Sequence, residues 1–214
     1  MKAWSETPVT VAIAGVIAIV SALLLWTGFL QLGIYAGGVI PARLSGIADL
    51  PPEVAVVPPL LTPLTAALVH GGWAHLGFNM LTFVYTGQAS ERALGRWGLL
   101  LLFVVGAYAA AAAQWAVDPA AATPMVGASG AISAVMASYA LLYGEQRRQK
   151  AWGPFSARAL HILWLAAAWI GINLLFGFVG MQAGQPIAIA AHIGGFIAGL
   201  ALARPLLLWR WRRA

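Results

Sequence analysis

The 214-residue chain is 61% hydrophobic and only 8% charged, a composition that defines an integral membrane protein and excludes a monomeric soluble domain. Its net charge of +6 is scattered over span ends and the last turn, so it reads as membrane topology and excludes nucleic acid as a partner. Without any cysteine the chain has no disulfide, no thiolate metal site and no cysteine nucleophile.

At about 20 residues per span with short connections, the chain is expected to form one domain, residues 1–214, built as an all-α bundle of six transmembrane helices. Met1 to Pro8 is a short polar lead, and Val9 to about Leu32 is the first apolar run. Its roughly 24 residues exceed the about 7–15 of a signal-peptide core, and a second run follows, so it is read as an uncleaved first span. Gly33 to about Gly72 is the longest connection, rich in proline and glycine. A loop this long inside a small bundle carries structure or function of its own more often than it serves as a plain tether, and its apolar patches place it against the membrane interface.

Trp73 to about Ser90 is the second span, closed by Glu91-Arg92-Ala93-Leu94-Gly95-Arg96, and Trp97 to about Val117 is the third. A turn from Asp118 to Met125 leads to the fourth span, Gly127 to Tyr143, followed by the basic connection 144–150. The fifth span covers about Ala159 to Phe178; a glycine-containing loop then reaches Pro186, and the sixth covers about Ile187 to Leu208.

Six spans put both termini on one side. That side collects eleven of the 12 Lys and Arg residues and the other holds Arg43 alone, so the positive-inside rule makes the termini cytoplasmic and the long loop external. Tryptophans 4, 73, 97, 152, 209 and 211 lie near span ends, as aromatic belts do. The expected location is the plasma membrane of a bacterium, its inner membrane, with several passes.

Spans two, four and six then all run inward, and their N-terminal ends share one depth. His75 and Asn79 fall in the first turns of span two, Ser129 opens span four within Gly127-Ala128-Ser129-Gly130, and His192 lies about one turn into span six. All four can meet near the outer face. Span four rises about 26 Å, short of the roughly 30 Å hydrocarbon core, so Ser129 is expected below the outer surface in a water-filled cavity.

Among groups able to activate that serine, both lysines sit at cytoplasmic ends, Asp49 and Asp118 are in loops, and no HExxH occurs. Histidine remains as the base, and ionisable residues inside a span default to functional roles. Each residue taken alone has a plainer reading. Ser129 can be small-residue packing, Asn79 an interhelical hydrogen bond, and His161 an interfacial residue at the end of span five. Gly195 and Gly199 form a GxxxG that packs span six and draws His192 toward Ser129. Three histidines would suit a zinc site, but the carboxylates that orient such ligands are missing, so no metal and no cofactor is expected. A transporter is disfavoured, since no intramembrane carboxylate or cation marks an ion path.

The ordered set HxxxxHxxxN (His70, His75, Asn79), GxSG (Gly127 to Gly130) and AHxxGxxxG (Ala191, His192, Gly195, Gly199) resembles the rhomboid family of intramembrane serine proteases. The likeness covers spans two to six, with Glu91-Arg92 also fitting. It implies a Ser-His dyad without a third acid, with Ser129 as nucleophile and His192 as general base. It further implies an oxyanion hole of His75, Asn79 and the Ser129 backbone N–H, and a mainly structural His70 holding the first loop. The implied substrates are transmembrane proteins, cut near the outer interface through an acyl-enzyme, in contact with membrane lipid. Entry is expected beside span five, under the loop from Gly180 to Pro186. An inactive relative that binds transmembrane helices without cutting them is the alternative, and the intact Ser129 and His192 argue against it. Two departures stand out. Leu61-Thr62 replaces the family's Trp-Arg in the first loop, and Ser133 stands where relatives place an aromatic residue against the catalytic histidine.

Overall fold

Proline suits the first turn of a helix, because its φ is already helical and its missing N–H would have had no partner there. In the computed structural model, which describes residues 5–51, 56–143, 156–182 and 188–212, such a proline opens helix α1, Pro8–Thr27. The helix stops at Gly28, whose φ of 80° is left-handed, several residues before the expected end near Leu32. A separate helix, α2, then runs over Leu30–Gly37. The unpaired N–H groups at the start of α1 find their acceptor far along the chain. The buried Glu91 carboxylate accepts from the Val9 N–H at 3.0 Å, the Thr10 N–H at 2.8 Å and the Thr10 hydroxyl at 2.7 Å. A negative charge at a helix N-terminus also suits the helix dipole.

The long first connection has structure of its own, with α3 at Pro41–Leu44, 3₁₀ turns at Pro59–Leu61 and Ala66–Leu68, and α4 at Thr62–Thr65. It is tied to the turn that precedes Ser129. Val39 and Met125 exchange backbone hydrogen bonds of 2.9 and 2.8 Å, and the Ala42 N–H reaches the Ala121 carbonyl at 3.0 Å. Side chains add to this. Trp115 donates to the Ser45 hydroxyl, which in turn donates to the Pro119 carbonyl, and the Tyr108 hydroxyl donates to the Leu60 carbonyl. Thr62, at one of the two positions that depart from the family pattern, closes its own turn by donating to the Pro59 carbonyl. Arg43 is buried, with hydrogen bonds to Asp49 at 3.1 Å and to the Val57 carbonyl at 3.3 Å. The Leu50 N–H and then Arg43 hold the Asp49 carboxyl below its usual range.

Helix α5, Trp73–Val117, is broken at Gly95, where φ is 76° and ψ is 168°. Phe83 and Phe103 flank this break and would lie about 30 Å apart along a straight helix. Their rings are 5.4 Å apart, so the two halves fold back side by side. The expected six-residue connection from Glu91 to Arg96 is thereby reduced to one residue, because the left-handed φ at Gly95 turns the chain without a loop. The turn is fixed from outside, since the Arg210 guanidinium donates to the carbonyls of Glu91 and Arg92.

Helices α6 (Ser129–Tyr143), α7 (Ala157–Gln182) and α8 (Ile189–Arg210) complete the described fold. The basic connection 144–150 and most of the loop before Pro186 lie outside the described residues. Among the described residues no strand occurs beyond the isolated bridge of Val39 with Met125. Among the described residues three helices, α1, α5 and α8, are long and apolar enough to cross a membrane, and large apolar side chains such as Trp26 and Phe78 face outward at 86% and 75% exposure. The chain is an all-α integral membrane protein.

Close backbone contact brings α6 and α8 together. A Cβ at Gly195 would land on the Gly130 carbonyl oxygen, and one at Gly199 on that of Ala134. Gly130 in turn lies against Ala110 of α5, where a Cβ would come within 2.5 Å of the alanine methyl. Small residues on all three helices thus set the depth at which their polar residues meet.

Candidate active site

The chain enters α6 through Gly127, whose φ of 113° only glycine adopts without strain. A Cβ there would also stand 2.8 Å from the His75 ring, so glycine is required twice at this position. The segment is held before the helix starts: the Gly127 N–H donates to the Ala66 carbonyl at 2.8 Å, and the Ala128 N–H to His70 Nε2 at 3.4 Å. Ser129 follows as the first helical residue, partly buried.

His70 is fully buried and spans two elements. Its Nδ1 is 2.9 Å from the Ser21 hydroxyl of α1, which gives its own proton to the Leu68 carbonyl at 2.7 Å. His70 Nδ1 is therefore the donor, and Nε2 keeps the lone pair that accepts the Ala128 N–H. Burial first, then the nearby His75, pushes the His70 pKa down to about 3. A neutral His70 thus links α1, the end of the first loop and the residue before Ser129.

His75, in the first turn of α5, is partly buried, with its ring 4.8 Å from that of His70. Its Nδ1 accepts the Gly71 N–H at 3.4 Å, which leaves the Nε2 side toward Gly127. Asn79 is buried one turn further on and donates from Nδ2 to the His75 carbonyl at 2.9 Å.

His192, one turn into α8, places Nε2 2.8 Å from the Ser129 hydroxyl. That is hydrogen-bond distance for a serine proton passing to an imidazole lone pair. The other ring nitrogen, Nδ1, is 2.7 Å from Oδ1 of Asn173 on α7. Asn173 is buried and donates from Nδ2 to the Trp169 carbonyl at 2.9 Å. The Trp169 indole N–H reaches the His192 carbonyl at 3.4 Å, and its ring stacks on Phe196 at 5.0 Å.

Asn173 is not among the residues singled out from sequence. Its signal was an amide in the middle of an apolar run, with no motif around it. Ser133 is buried and returns its hydroxyl to the Ser129 carbonyl at 2.8 Å, while α7 contacts His192 through Asn173 and Trp169. His161, at the start of α7, is buried, and its Nε2 has no hydrogen-bond partner among the described residues. Among those residues no three His, Cys, Asp or Glu side chains gather closely enough to hold a metal ion.

Fold and site together define a multi-helix membrane protein in which a serine and a histidine meet where α6 and α8 converge. The family model of the Rhomboid domain matches residues 59–209, and the chain belongs to the rhomboid family. It is 34% identical over 138 residues to the rhomboid protease GlpG of Pectobacterium atrosepticum, covering 64% of this chain and 45% of that protein. It is also 34% identical over 146 residues to the rhomboid protease GluP of Bacillus subtilis, covering 68% of this chain and 26% of the relative. A GlpG of Serratia proteamaculans is 32% identical over 138 residues, 64% of this chain and 45% of the relative. The chain thus spans less than half the length of these curated relatives.

Proposed function

We propose that the chain is an intramembrane serine endopeptidase that cleaves transmembrane proteins near the outer membrane interface. The observation that carries this reading is the 2.8 Å contact between His192 Nε2 and the Ser129 hydroxyl. In the proposed reaction His192 takes the Ser129 proton as the oxygen attacks a peptide carbonyl carbon. The tetrahedral intermediate then expels the amine, which leaves with the proton from Nε2, and an acyl-enzyme remains. Water, deprotonated by the same nitrogen, attacks the ester; the carboxylic product departs and the proton returns to Ser129.

The developing oxyanion is assigned to the Ser129 backbone N–H, one of the unpaired donors of a helix N-terminus, together with His75 and Asn79. Packing of the His75 ring on Gly127 supports its part. An amide nitrogen carries two N–H groups, so Asn79 has one to offer beside the bond to its own helix. His70 has the structural part, holding the segment that leads into Ser129.

The chain is further proposed to be a single domain with six membrane crossings, the two halves of α5 counting separately, and with both termini in the cytoplasm of a bacterial inner membrane. The break at Gly95 and the return of α5 on itself support that count. The test is labelling of the detergent-purified chain with a fluorophosphonate, followed by cleavage of single-span substrates in proteoliposomes. Labelling and cleavage are expected to require both Ser129 and His192. Cleavage by a folded Ser129→Ala protein would overturn the reading.

A further inference from the structure

The two nitrogens of His192 face partners whose hydrogen-bonding roles can be worked out from one end of the network. The carbonyl of Trp169 can only accept, so the Asn173 group 2.9 Å from it must be the NH₂ end. The opposite orientation would set two oxygens against each other. Oδ1 is thereby the end that meets His192 Nδ1 at 2.7 Å, and an amide oxygen can only accept. Nδ1 must then carry the proton. In a neutral imidazole this leaves the lone pair on Nε2, the nitrogen 2.8 Å from the Ser129 hydroxyl.

We infer that Asn173 is the positioning residue of the Ser129–His192 pair. Its amide oxygen holds His192 as the Nδ1–H tautomer and steadies the imidazolium that forms when Ser129 gives up its proton. The inference rests on the hydrolase reading for its catalytic part, while the tautomer follows from the geometry alone.

A neutral acceptor fits this location. A carboxylate inside the bundle would carry a desolvation cost that an amide avoids, yet the amide oxygen fixes the ring as a carboxylate does in a serine triad. Trp169, one turn from Asn173, holds the backbone on which this depends, since its indole reaches the His192 carbonyl and stacks on Phe196. The orientation of the base is thereby set from α7, whereas the small Ser133 on α6 turns its hydroxyl to the Ser129 carbonyl.

The experiment compares the full chain with Asn173→Leu, which keeps bulk but removes the acceptor, and Asn173→Asp, which keeps an acceptor and adds charge. Thermal unfolding first establishes that each variant is folded. Both retain every other ionisable group, His75 included, so differences between them report on position 173. Asn173→Leu is expected to lower kcat roughly 10- to 100-fold with KM little changed, the loss of one hydrogen bond to a group that becomes charged. Asn173→Asp is expected to recover much of the rate and to move the acid limb of its pH profile to higher pH, because a carboxylate favours the imidazolium. Nitrogen-15 spectra of the His192 ring should show Nδ1 protonated in the unaltered chain and a mixture of tautomers in Asn173→Leu.

A folded Asn173→Leu with unchanged kcat and acid limb would overturn the inference, as would an Nε2–H tautomer in the unaltered chain. An acid limb left unmoved by Asn173→Asp would reduce the residue to packing and overturn it equally. Absence of Ser129-dependent labelling in the unaltered chain would instead remove the hydrolase reading, and the tautomer would still be readable from the spectra.

Discussion

Ser129 and His192 share one proton in the proposed reaction, so removing either disables both. Ser129→Ala and His192→Ala should each abolish cleavage, and the double variant should be no worse than either, as measured by single-turnover cleavage in proteoliposomes. Asn79→Ala should cost less, about 10²–10³ in rate, because the other oxyanion donors remain. Rates should fall as acid protonates His192, and a profile flat from about pH 8 to about pH 4 would remove it from the base role. His70 has a different signature. Its pKa of about 3 in the folded chain lies below the roughly 6.5 of an unfolded histidine, so its contribution to stability is present above that value and is lost as pH falls toward 3. His70→Ala should therefore lower the melting temperature more at pH 7.5 than at pH 4.5, and an equal loss at both would contradict a buried neutral ring. Of the polar residues visible in sequence, Ser129 lies within hydrogen-bond distance of His192 and His75 lies against Gly127, while Asn79 bonds to the carbonyl of His75 on its own helix. They stood out because a histidine or serine at the mouth of an apolar run is conspicuous and recurs in spaced motifs. Asn173 has no such company. Its partner is found only when α7 is laid against α8.

Helices α6 and α8 approach so closely that their glycines, rather than their large side chains, set the site. At Gly199 even one methyl group would overlap the backbone carbonyl of Ala134, and no side-chain rotation can relieve a clash with backbone. Gly199→Ala should push α8 away from α6, lower the melting temperature, and slow fluorophosphonate labelling, since a displacement of about 1 Å can cost about 10²-fold in rate. Labelling at the normal rate in this variant would mean that the glycine contact does not position His192. The order of the apolar runs could be read from sequence, because hydropathy reports burial in lipid directly, but their ends could not. Gly28 ends α1 early and Gly95 turns α5 in one step, and both effects depend on a backbone angle that hydropathy does not carry. Structure within the first connection was expected from its length, yet its attachment through Val39 to Met125 and Trp115 to Ser45 joins residues too far apart in sequence for any local pattern to reveal.

Contacts at the opposite end of the bundle from Ser129 bear on how the whole molecule sits in the membrane. Glu91, at the end of the first half of α5, accepts from the first turn of α1. Arg92 pairs with Glu6 at 3.6 Å, and Arg210, in the last turn of α8, donates to the carbonyls of Glu91 and Arg92. The start of α1, the break in α5 and the end of α8 therefore lie together on one face. Sharing a face requires an even number of crossings between the first and last of these points, which supports six spans and makes the two ends of the bundle report together. The proposal assigns this face to the cytoplasm, because Lys and Arg are concentrated there by the count of alternate sides. The Arg92–Glu6 pair is largely exposed and adds little stability of its own, so the arginines are expected to act mainly through orientation. Reporters fused after Lys150 and at the C-terminus should read cytoplasmic, and one inserted next to Asp49 should read external. Exchanging Arg92 and Arg96 for Gln should leave that pattern in place, since most of the basic residues remain. An external reading at the C-terminus with a cytoplasmic one at Lys150 would break the even count, and with it the shared depth of His75, Ser129 and His192 on which the proposed chemistry depends.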